Sequence, residues 1–356
     1  MLGRLIPFGC VLATVLVQAE ASAQTAGVSA AAEPTVVHGL YNWVHSTADA
    51  ESVFAFYRDV FGIELAPSPF VPNAAAPEGI RPLAAVKGDP LIWDLTDTKG
   101  SRARTVFMRA PNTPFGLELS EFVDIPRETR AANPWDPGAS RLIFRVRDVA
   151  AVAAKLAARG APTVTLGSAP VDTRLGRAML VRDPDGYLLE LREATATEAA
   201  RAESVGEIVA TQIGLTVADA ARALELYRGL LGFDVRESRQ ADSAELALNG
   251  LAAGRLEQTV TVIPGTAVVV VFLDFELPSS ATARPFRWRI QDVGSPQFQL
   301  EVSGLDELVE RTRAAGYRFL TVDARPIQRP FGRFVFAIDS DNILVEYAEP
   351  AARARE

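Results

Sequence analysis

Histidine, cysteine and serine supply many catalytic nucleophiles, bases and metal ligands, and this chain of 356 residues has only two histidines and one cysteine. His38 and His45 are seven residues apart, so on one regular strand their side chains point to opposite faces. A non-haem iron oxygenase needs two histidines and a carboxylate on a common face. No Gly-x-Ser-x-Gly elbow accompanies either histidine. We therefore expect neither a two-histidine iron oxygenase nor a serine hydrolase, with His38 at a strand entrance and His45 at a surface or interface.

The composition is that of a globular protein with more than one core. Hydrophobic residues make up 48% of the chain and charged residues 22%, and at roughly 100 to 200 residues per domain the length favours two domains. Lysine and arginine total 36 against 44 aspartate and glutamate, which gives a net charge of −8. A nucleic-acid-binding protein usually carries a basic stripe that neutralises phosphates. We expect no nucleic-acid partner.

The first 23 residues have the pattern of a secretory signal peptide. A basic start at Arg4 precedes an apolar stretch over 5–17, and Ala21-Ser22-Ala23 provides small residues for cleavage near Ala23. The apolar stretch is too short to span a hydrocarbon core of about 30 Å as a helix. Cleavage would remove Cys10, so the mature chain would have no thiol. These features predict a protein without a membrane span that is exported to the periplasm or secreted.

The rest of the chain consists of repeats. Residues 48–62 recur as 218–232, and residues 146–190 recur as 302–346. The order along the chain is A-B-A′-B′, which indicates four modules. Each begins with an alternating, strand-like segment, continues with a helix and ends with further strands.

Short motifs mark the ends of these elements. Aspartates 49, 148 and 219 stand where helix N-caps are needed, and glycines 62, 160, 232 and 316 where left-handed C-terminal residues are needed. Asp183-Pro184-Asp185-Gly186 predicts a hairpin turn, which Asp339-Ser340-Asp341-Asn342 repeats.

A helix carrying Phe-Tyr-Arg-x-x-x-Gly and a hairpin of the form Asp-Pro-Asp-Gly-x-x-x-Glu-Leu together resemble the vicinal oxygen chelate (VOC) superfamily. That superfamily includes glyoxalase I, extradiol dioxygenases and bleomycin resistance protein. The resemblance implies an α+β fold in which four βαβββ modules pair into two VOC domains. Each domain would be a curved, mostly antiparallel sheet that encloses a cup, with helices outside. We expect a first domain over 36–193 (modules 36–124 and 140–193), a linker over 194–206, and a second domain over 207–350 (modules 207–277 and 286–350).

The resemblance also implies that active members bind one divalent metal in a cup, with ligands from the first and last strands of each paired module. The corresponding first-strand positions are Asn42, Arg141, Gln212 and Gln297, and the last-strand positions are Glu118, Glu190 and Glu346. The expected first cup therefore combines Asn42, Glu118, Arg141 and Glu190, and the second combines Gln212, Gln297 and Glu346.

Arginine at one of these positions changes the chemistry. A guanidinium has no lone pair for a metal, and its charge opposes a divalent cation. We expect Arg141 to pair with Glu118 or Glu190, or to receive an anionic ligand. The sequence assigns no cofactor and leaves open a weakly bound divalent metal, with Glu118, Glu190, Gln212, Gln297 and Glu346 as candidate ligands.

Three functions remain open at this stage. The first is the binding of a small, partly apolar, anionic organic molecule in a cup walled by Trp43 or Trp93, without a histidine-containing metal site. The second is a glyoxalase-like lyase or isomerase in which Glu118 and Glu190 move a proton next to an activated carbonyl. The third is a structural or partner-binding protein with both cups degenerate. The sequence does not decide between a monomer and a homodimer.

Overall fold

The structure is a computed structural model, in which residues 36–71 and 73–351 are described. The signal-peptide prediction for residues 1–23 lies outside the described residues. The described residues form one compact unit. Every helix within the described residues is too short or too polar to cross a lipid bilayer.

Seventeen strands in the described residues form two curved, mixed sheets. Sheet A has the order β14-β16-β17-β13-β1-β4-β3-β2, with β15 paired to β16. Its strands are β1 (Val37–Ser46), β2 (Glu64–Leu65), β3 (Arg102–Arg109), β4 (Gly116–Val123), β13 (Pro296–Val302), β14 (Arg318–Phe319), β15 (Ile327–Arg329), β16 (Gly332–Ile338) and β17 (Leu344–Pro350).

Sheet B has the order β10-β11-β12-β9-β5-β8-β7-β6. Its strands are β5 (Ser140–Val146), β6 (Val171–Thr173), β7 (Gly176–Arg182), β8 (Leu188–Glu193), β9 (Ile208–Val217), β10 (Asp234–Gln240), β11 (Arg255–Val262) and β12 (Val269–Glu276).

This strand order corrects the expected pairing of the modules. Sheet A joins the first module to the fourth through the antiparallel pair β1 and β13, and sheet B joins the second to the third through β5 and β9. The expectation of consecutive pairs, with each cup built from one continuous half of the chain, is wrong. Each sheet instead takes one module from each half, so the candidate ligands are redistributed between the two cups.

The helices begin and end where the capping residues predict. They are α1 (Ala50–Phe61), α2 (Pro90–Thr96), α3 (Val149–Ala158), α4 (Ala196–Arg201), α5 (Ala220–Leu224), α6 (Ser243–Leu248) and α7 (Leu305–Ala314), and a π-helical segment over Glu225–Leu230 continues α5. The side chains of aspartates 49, 148 and 219 each accept a hydrogen bond from a first-turn N–H, as expected of N-caps. Helix α4 lies within the predicted linker.

The largest hydrophobic core lies on the sides of the sheets that face away from the cups. Alternate residues of β1, β5, β9 and β13, such as Trp43, Phe144, Leu215 and Phe298, point into it. Tyr57 and Tyr227, from the repeated helices, pack there as well. The intervening residues of the same strands, which include most of the polar candidates, point into the cups.

Candidate functional site

Four polar side chains meet at the floor of the sheet A cup, and we call them the Glu118 cluster: Asn42, Glu118, Gln299 and Glu346. Asn42 lies opposite Gln299 across the β1 and β13 pair, and its Nδ2 donates to Gln299 Oε1 at 2.7 Å and to Glu118 Oε2 at 3.3 Å. Gln299 Nε2 donates to Glu346 Oε2 at 2.6 Å. The first and last strands of the two paired modules therefore supply one residue each.

Burial makes both carboxyl groups of the Glu118 cluster weak acids. Removal from water, together with the charge of Glu346, raises the pKa of Glu118 from 4.5 to about 8, although a hydrogen bond from Ser120 opposes the rise. Burial raises the pKa of Glu346 to about 7, against a bond from Gln299. Within the described residues, no lysine or arginine nitrogen lies within 4.0 Å of either carboxylate. The cluster lacks a positive charge.

The donor set of the Glu118 cluster fits a hard divalent cation. Two carboxylates and the amide oxygen of Gln299 are ligands that magnesium, manganese or calcium prefer, and a turn of the Asn42 amide, whose Nδ2 now faces the cluster, would add a second amide oxygen. The lack of a side chain at Gly116 leaves space for Asn42, because a Cβ at that position would lie 2.1 Å from Asn42 Oδ1. A cation bound there would supply the missing positive charge.

Apolar side chains cover the Glu118 cluster. The cup-facing residues of β4, β16 and β17 form a hydrophobic cluster with Leu95 of α2 and with Ile290. Phe70 packs against the same cluster and lies edge-on to Phe334 at 5.2 Å between ring centroids. The sheet A cup is thus filled by the chain's own side chains, and Glu118 is 7% exposed.

The corresponding positions of sheet B have lost most of this donor set. Gln212 stands opposite Ile143 across the β5 and β9 pair, as Asn42 stands opposite Gln299. Val271 pairs with Gly214 where Glu118 pairs with Val44. Glu190 is the remaining carboxylate, and arginines surround it. Sheet B therefore does not fit a metal at this position.

The arginines around Glu190 form a buried ion-pair network. Arg141 Nη1 lies 3.2 Å from Glu190 Oε2 and also donates to Asn249 Oδ1 at 2.7 Å. Arg192 Nη2 donates to Glu190 Oε1 at 2.6 Å and bridges to Glu245. Burial alone would raise the pKa of Glu190, but the positive charges of Arg192 and Arg141 outweigh burial, so the pKa is lowered. The expected Arg141 and Glu190 pair is present.

The sheet B cup is open, in contrast to the sheet A cup. It holds a cavity of about 450 Å³, within the size range of small-molecule sites. Its apolar lining consists mainly of Ile143, Leu175, Val260, Val271 and Leu273. Its polar lining includes Gln212 and Gln258, and its charged lining consists of Arg145, Arg174, Arg192, Arg239, Glu190, Glu193, Glu198 and Glu237.

Two guanidinium groups of this cavity have spare hydrogen-bonding capacity. Arg145 is 7% exposed, and its Nε has no hydrogen-bond partner among the described residues. Its Nη2 donates to Glu198 at 2.8 Å. Arg174, at the rim, has a carboxylate of Asp242 no closer than 4.0 Å. The cavity therefore offers N–H donors next to an apolar surface.

Several predicted site residues lie elsewhere than expected. Glu118 and Glu190 are in different sheets, so they cannot form the proposed catalytic pair. Gln297 does not join the Glu118 cluster but donates to Ser46 Oγ at 3.1 Å, two residues away from Gln299. Trp43 is on the core side of β1, where its Nε1 donates to Tyr187 Oη at 2.9 Å, so it is not a cup wall.

Arg141 and Trp93 are also engaged in contacts within the protein rather than in lining the cavity. Arg141 is 1% exposed and does not line the cavity. Trp93, on α2, donates from Nε1 to the Ser101 carbonyl at 2.6 Å and lies outside the sheet B cavity. Of the sequence candidates, Gln212 and Glu190 line the cavity.

Sequence reasoning missed Gln299 and Arg145. Both could have been found from the alternation of side chains along β13 and β5. The prediction instead counted seven residues back from each helix cap, which selected Gln297 on β13 and Arg141 on β5. His45 does face away from the cup, as its spacing from Asn42 requires. It is nevertheless 3% exposed, so its expected place at a surface is wrong.

Comparisons with known proteins agree with this fold. The family model for the Glyoxalase/Bleomycin resistance protein/Dioxygenase superfamily matches residues 44–191 and 209–347. Glyoxalase I from Zea mays is similar in structure, with a TM-score of 0.53, 15% sequence identity, and coverage of 87% of this chain and 92% of that chain. A putative dioxygenase from Bacillus subtilis gives a TM-score of 0.52 at 11% identity, covering 88% of this chain and 86% of that one.

These two structures are too distant in sequence to indicate more than a shared fold. A search of curated proteins gave no match. The family model, in contrast, accounts for most of both halves of the chain. With its modules, its two curved sheets and its ligand-like positions in place, the chain belongs to the Glyoxalase/Bleomycin resistance protein/Dioxygenase superfamily.

Proposed function

We propose that this protein binds one small, partly apolar organic anion in the sheet B cup. The observation that carries the proposal is the cavity of about 450 Å³, which is open while the sheet A cup is filled. Ligand sites typically combine an apolar lining with a few polar groups that fix orientation. Ile143, Val260 and Val271 supply the apolar part of this cavity.

The N–H groups of Arg145 and Arg174 favour an anion over a neutral ligand. Four arginines and four glutamates line the cavity, so their formal charges balance. Arg192 and Glu190 satisfy each other inside the buried network. A buried donor without an acceptor costs about 1 to 3 kcal/mol, and a turn of the Arg145 side chain that brings its buried Nε to a ligand carboxylate would remove that cost.

A ligand screen tests this proposal. Aryl and alkyl carboxylates, each with its uncharged amide as a control, are added to the protein while its thermal midpoint is measured. We expect a subset of the carboxylates to raise the midpoint and the amides to have less effect. Arg145→Gln should weaken the shift about tenfold or more in apparent affinity, because a charged hydrogen bond contributes about 1.5 to 3 kcal/mol.

Two further variants locate the binding site. Val260→Trp fills the cavity and should abolish the shift, whereas Arg102→Gln, which removes an exposed pair with Asp124 on sheet A, should leave it unchanged. The proposal fails if none of the carboxylates stabilises the wild-type protein, or if Val260→Trp binds them as the wild type does.

Export forms part of this proposal. The signal-like pattern of residues 1–23 supports a protein that is exported to the periplasm or secreted. Expression in a bacterial host, followed by mass analysis of the periplasmic fraction, should give a chain that begins at Gln24. A full-length chain confined to the cytoplasm would contradict this expectation.

A second candidate function is proton transfer at the Glu118 cluster. The observation in its favour is the buried oxygen donor set, with pKa values raised to about 8 for Glu118 and about 7 for Glu346. A divalent cation held by Asn42, Glu118, Gln299 and Glu346 would polarise a substrate carbonyl. Glu118, as a carboxylate, would accept a proton next to it.

Solvent deuterium exchange tests the second candidate. Small hydroxyketones are incubated with the protein and Mg²⁺ or Mn²⁺ in D₂O, and exchange at the carbon next to the carbonyl is followed by NMR. Exchange that disappears in Glu118→Gln would support this function. Exchange equal to that of the buffer would exclude it for these substrates, and the apolar covering of the cluster is the reason we rank it second.

A further inference from the structure

A second polar cluster lies on the core side of sheet A, apart from both cups. We call it the His45 cluster: His45, Asp183 and Asp185. His45 Nε2 lies 3.5 Å from Asp183 Oδ2 and 3.9 Å from Asp185 Oδ2. All three candidate ligand atoms lie within 4.8 Å of one another. His45 belongs to β1 of sheet A, and the aspartates belong to the turn between β7 and β8 of sheet B.

The His45 cluster contains two buried polar atoms that have no partner. His45 Nε2 and Asp185 Oδ2 make no hydrogen bond to any described residue. The side chains of His45 and Asp185 are only 3% and 4% exposed. A buried polar atom without a partner is costly and rare in native proteins. The two atoms lie 3.9 Å apart, so a single ion in the space between them could contact both.

The internal repeat provides a natural comparison for this cluster. The turn with Asp339 and Asp341 repeats the turn with Asp183 and Asp185. In each turn the first aspartate accepts a tyrosine hydroxyl, from Tyr57 at 3.0 Å and from Tyr227 at 2.9 Å. These shared contacts show that Asp183 and Asp339 have a structural role in both copies.

The copies differ at the positions that surround the space. Leu215 takes the place of His45, so the second copy has no imidazole. Ser340 takes the place of Pro184, and its hydroxyl donates to Asp341 Oδ2 at 3.0 Å. The second copy thus satisfies the oxygen that the first leaves without a partner.

A third difference fixes the imidazole. Tyr187 stacks on the His45 ring with 4.6 Å between centroids and 3° between planes. Its hydroxyl is held by Trp43 and Ser140. The repeat has Ile343 instead. The first copy therefore combines a fixed imidazole with a free carboxylate oxygen, and the second combines two aliphatic side chains with a satisfied carboxylate.

We propose that the His45 cluster binds a divalent transition-metal ion of the zinc type, which links sheet A to sheet B. One imidazole nitrogen and two carboxylate oxygens form a mixed ligand set that suits zinc. Zinc bonds of about 2.0 to 2.2 Å in a tetrahedral site place ligand atoms about 3.3 to 3.6 Å apart. The distances of 3.5 and 3.9 Å from His45 Nε2 need only a small contraction. A water would complete the shell.

The electrostatics of the cluster agree with a cation in this position. Among the described residues, His45 is the only basic side chain within 4.0 Å of the carboxylates of Asp183 and Asp185. A bound cation would pair with both carboxylates, whereas a water in the space between them would bridge the unpartnered atoms without adding a charge.

Metal content and thermal stability test the proposal together. The full chain is expressed with added zinc and its metal content is measured, and the metal-free protein is then titrated with Zn²⁺ and, as a comparison, Mg²⁺. We expect about one equivalent of zinc and a rise in the thermal midpoint of roughly 5 °C at 100 times the dissociation constant. His45→Leu should hold no zinc and show no shift.

The variants keep the test independent of folding defects and of the cups. His45→Leu introduces the residue that the repeat accommodates at Leu215, so this variant should fold. Pro184→Ser gives Asp185 the hydroxyl partner that Ser340 gives Asp341, so this variant should weaken zinc binding. The double variant Glu118→Gln and Glu346→Gln should retain the zinc. The proposal is overturned if the wild type holds no zinc and shows no shift, or if zinc persists in His45→Leu and is lost from the double variant.

Discussion

Replacement of Glu118 by glutamine should make the metal-free protein more stable at alkaline pH and leave it nearly unchanged at pH 5. The pKa of this buried carboxyl rises from 4.5 to about 8 in the folded state. The folded state therefore binds the proton more tightly than the unfolded state does. The stability that this group contributes is fully present below about pH 4.5 and is lost as the pH rises through about 8.

The magnitude follows from the same shift. At about 1.4 kcal/mol per pH unit, moving from 4.5 to about 8 costs the wild type up to about 5 kcal/mol once Glu118 is ionised. Glutamine has no charge to bury, its Oε1 can accept from Asn42 Nδ2, and its Nε2 can donate to the Ser120 hydroxyl, which then accepts. We expect Glu118→Gln to gain about 2 to 5 kcal/mol relative to the wild type at pH 9.

Urea denaturation in the presence of a chelator, repeated between pH 5 and pH 9, measures this difference. Glu276→Gln, at a position where the side chain is 74% exposed, is the matched control and should follow the wild type throughout. Other buried carboxyl groups affect both curves alike and cancel in the difference, except Glu346, whose charge acts on Glu118 and whose titration therefore contributes to the measured difference. Parallel curves for Glu118→Gln and wild type, or a variant that loses stability as the pH rises, would refute the reasoning.

Two further substitutions, each with a control, test the packing around the cups by chemical denaturation. Glu190→Gln should destabilise the protein by about 3 to 5 kcal/mol because it leaves Arg141 buried without its charge partner. The same change at the exposed Glu237 should cost less than about 1 kcal/mol of stability. Equal effects of the two substitutions would contradict the buried network. Gly116→Ala should cost about 1 to 3 kcal/mol, since its Cβ would lie 2.1 Å from Asn42 Oδ1, and a neutral result would show that Asn42 is free to move. Gly79→Ala, at a glycine with no atom within 4 Å of its Cβ and no positive φ, is the control and should change the stability little.

The modules were predictable from the sequence because each is built from local signals. The capping aspartates, the C-terminal glycines and the alternating strands all act within a few residues. The repeat then fixes the order of four similar units. How the units pair is a different question, because the same strand patterns satisfy a first module paired with either the second or the fourth. Contacts between residues as distant as Asn42 and Gln299 decide it.

The details of the candidate site were less predictable because the strands are irregular. Counting seven residues back from the helix start gave Gln297, but the partner of Asn42 is Gln299. Strand β1 has register shifts between Val37 and Gly39 and between Leu40 and Asn42. A bulge adds a residue to one strand, and the spacing of residues along the partner strand does not reveal it. Which cup is open depends on the packing of Phe70 and Leu95, which no motif marks.

The binding stoichiometry of a carboxylate selected by the screen tests the central claim most directly. Isothermal titration calorimetry with the wild-type protein should give one molecule bound per chain, because only the sheet B cup among the described residues combines an open cavity with the Arg145 donor. Val260→Trp should remove that binding. A stoichiometry of two, or one molecule bound as tightly by Val260→Trp as by the wild type, would contradict the account.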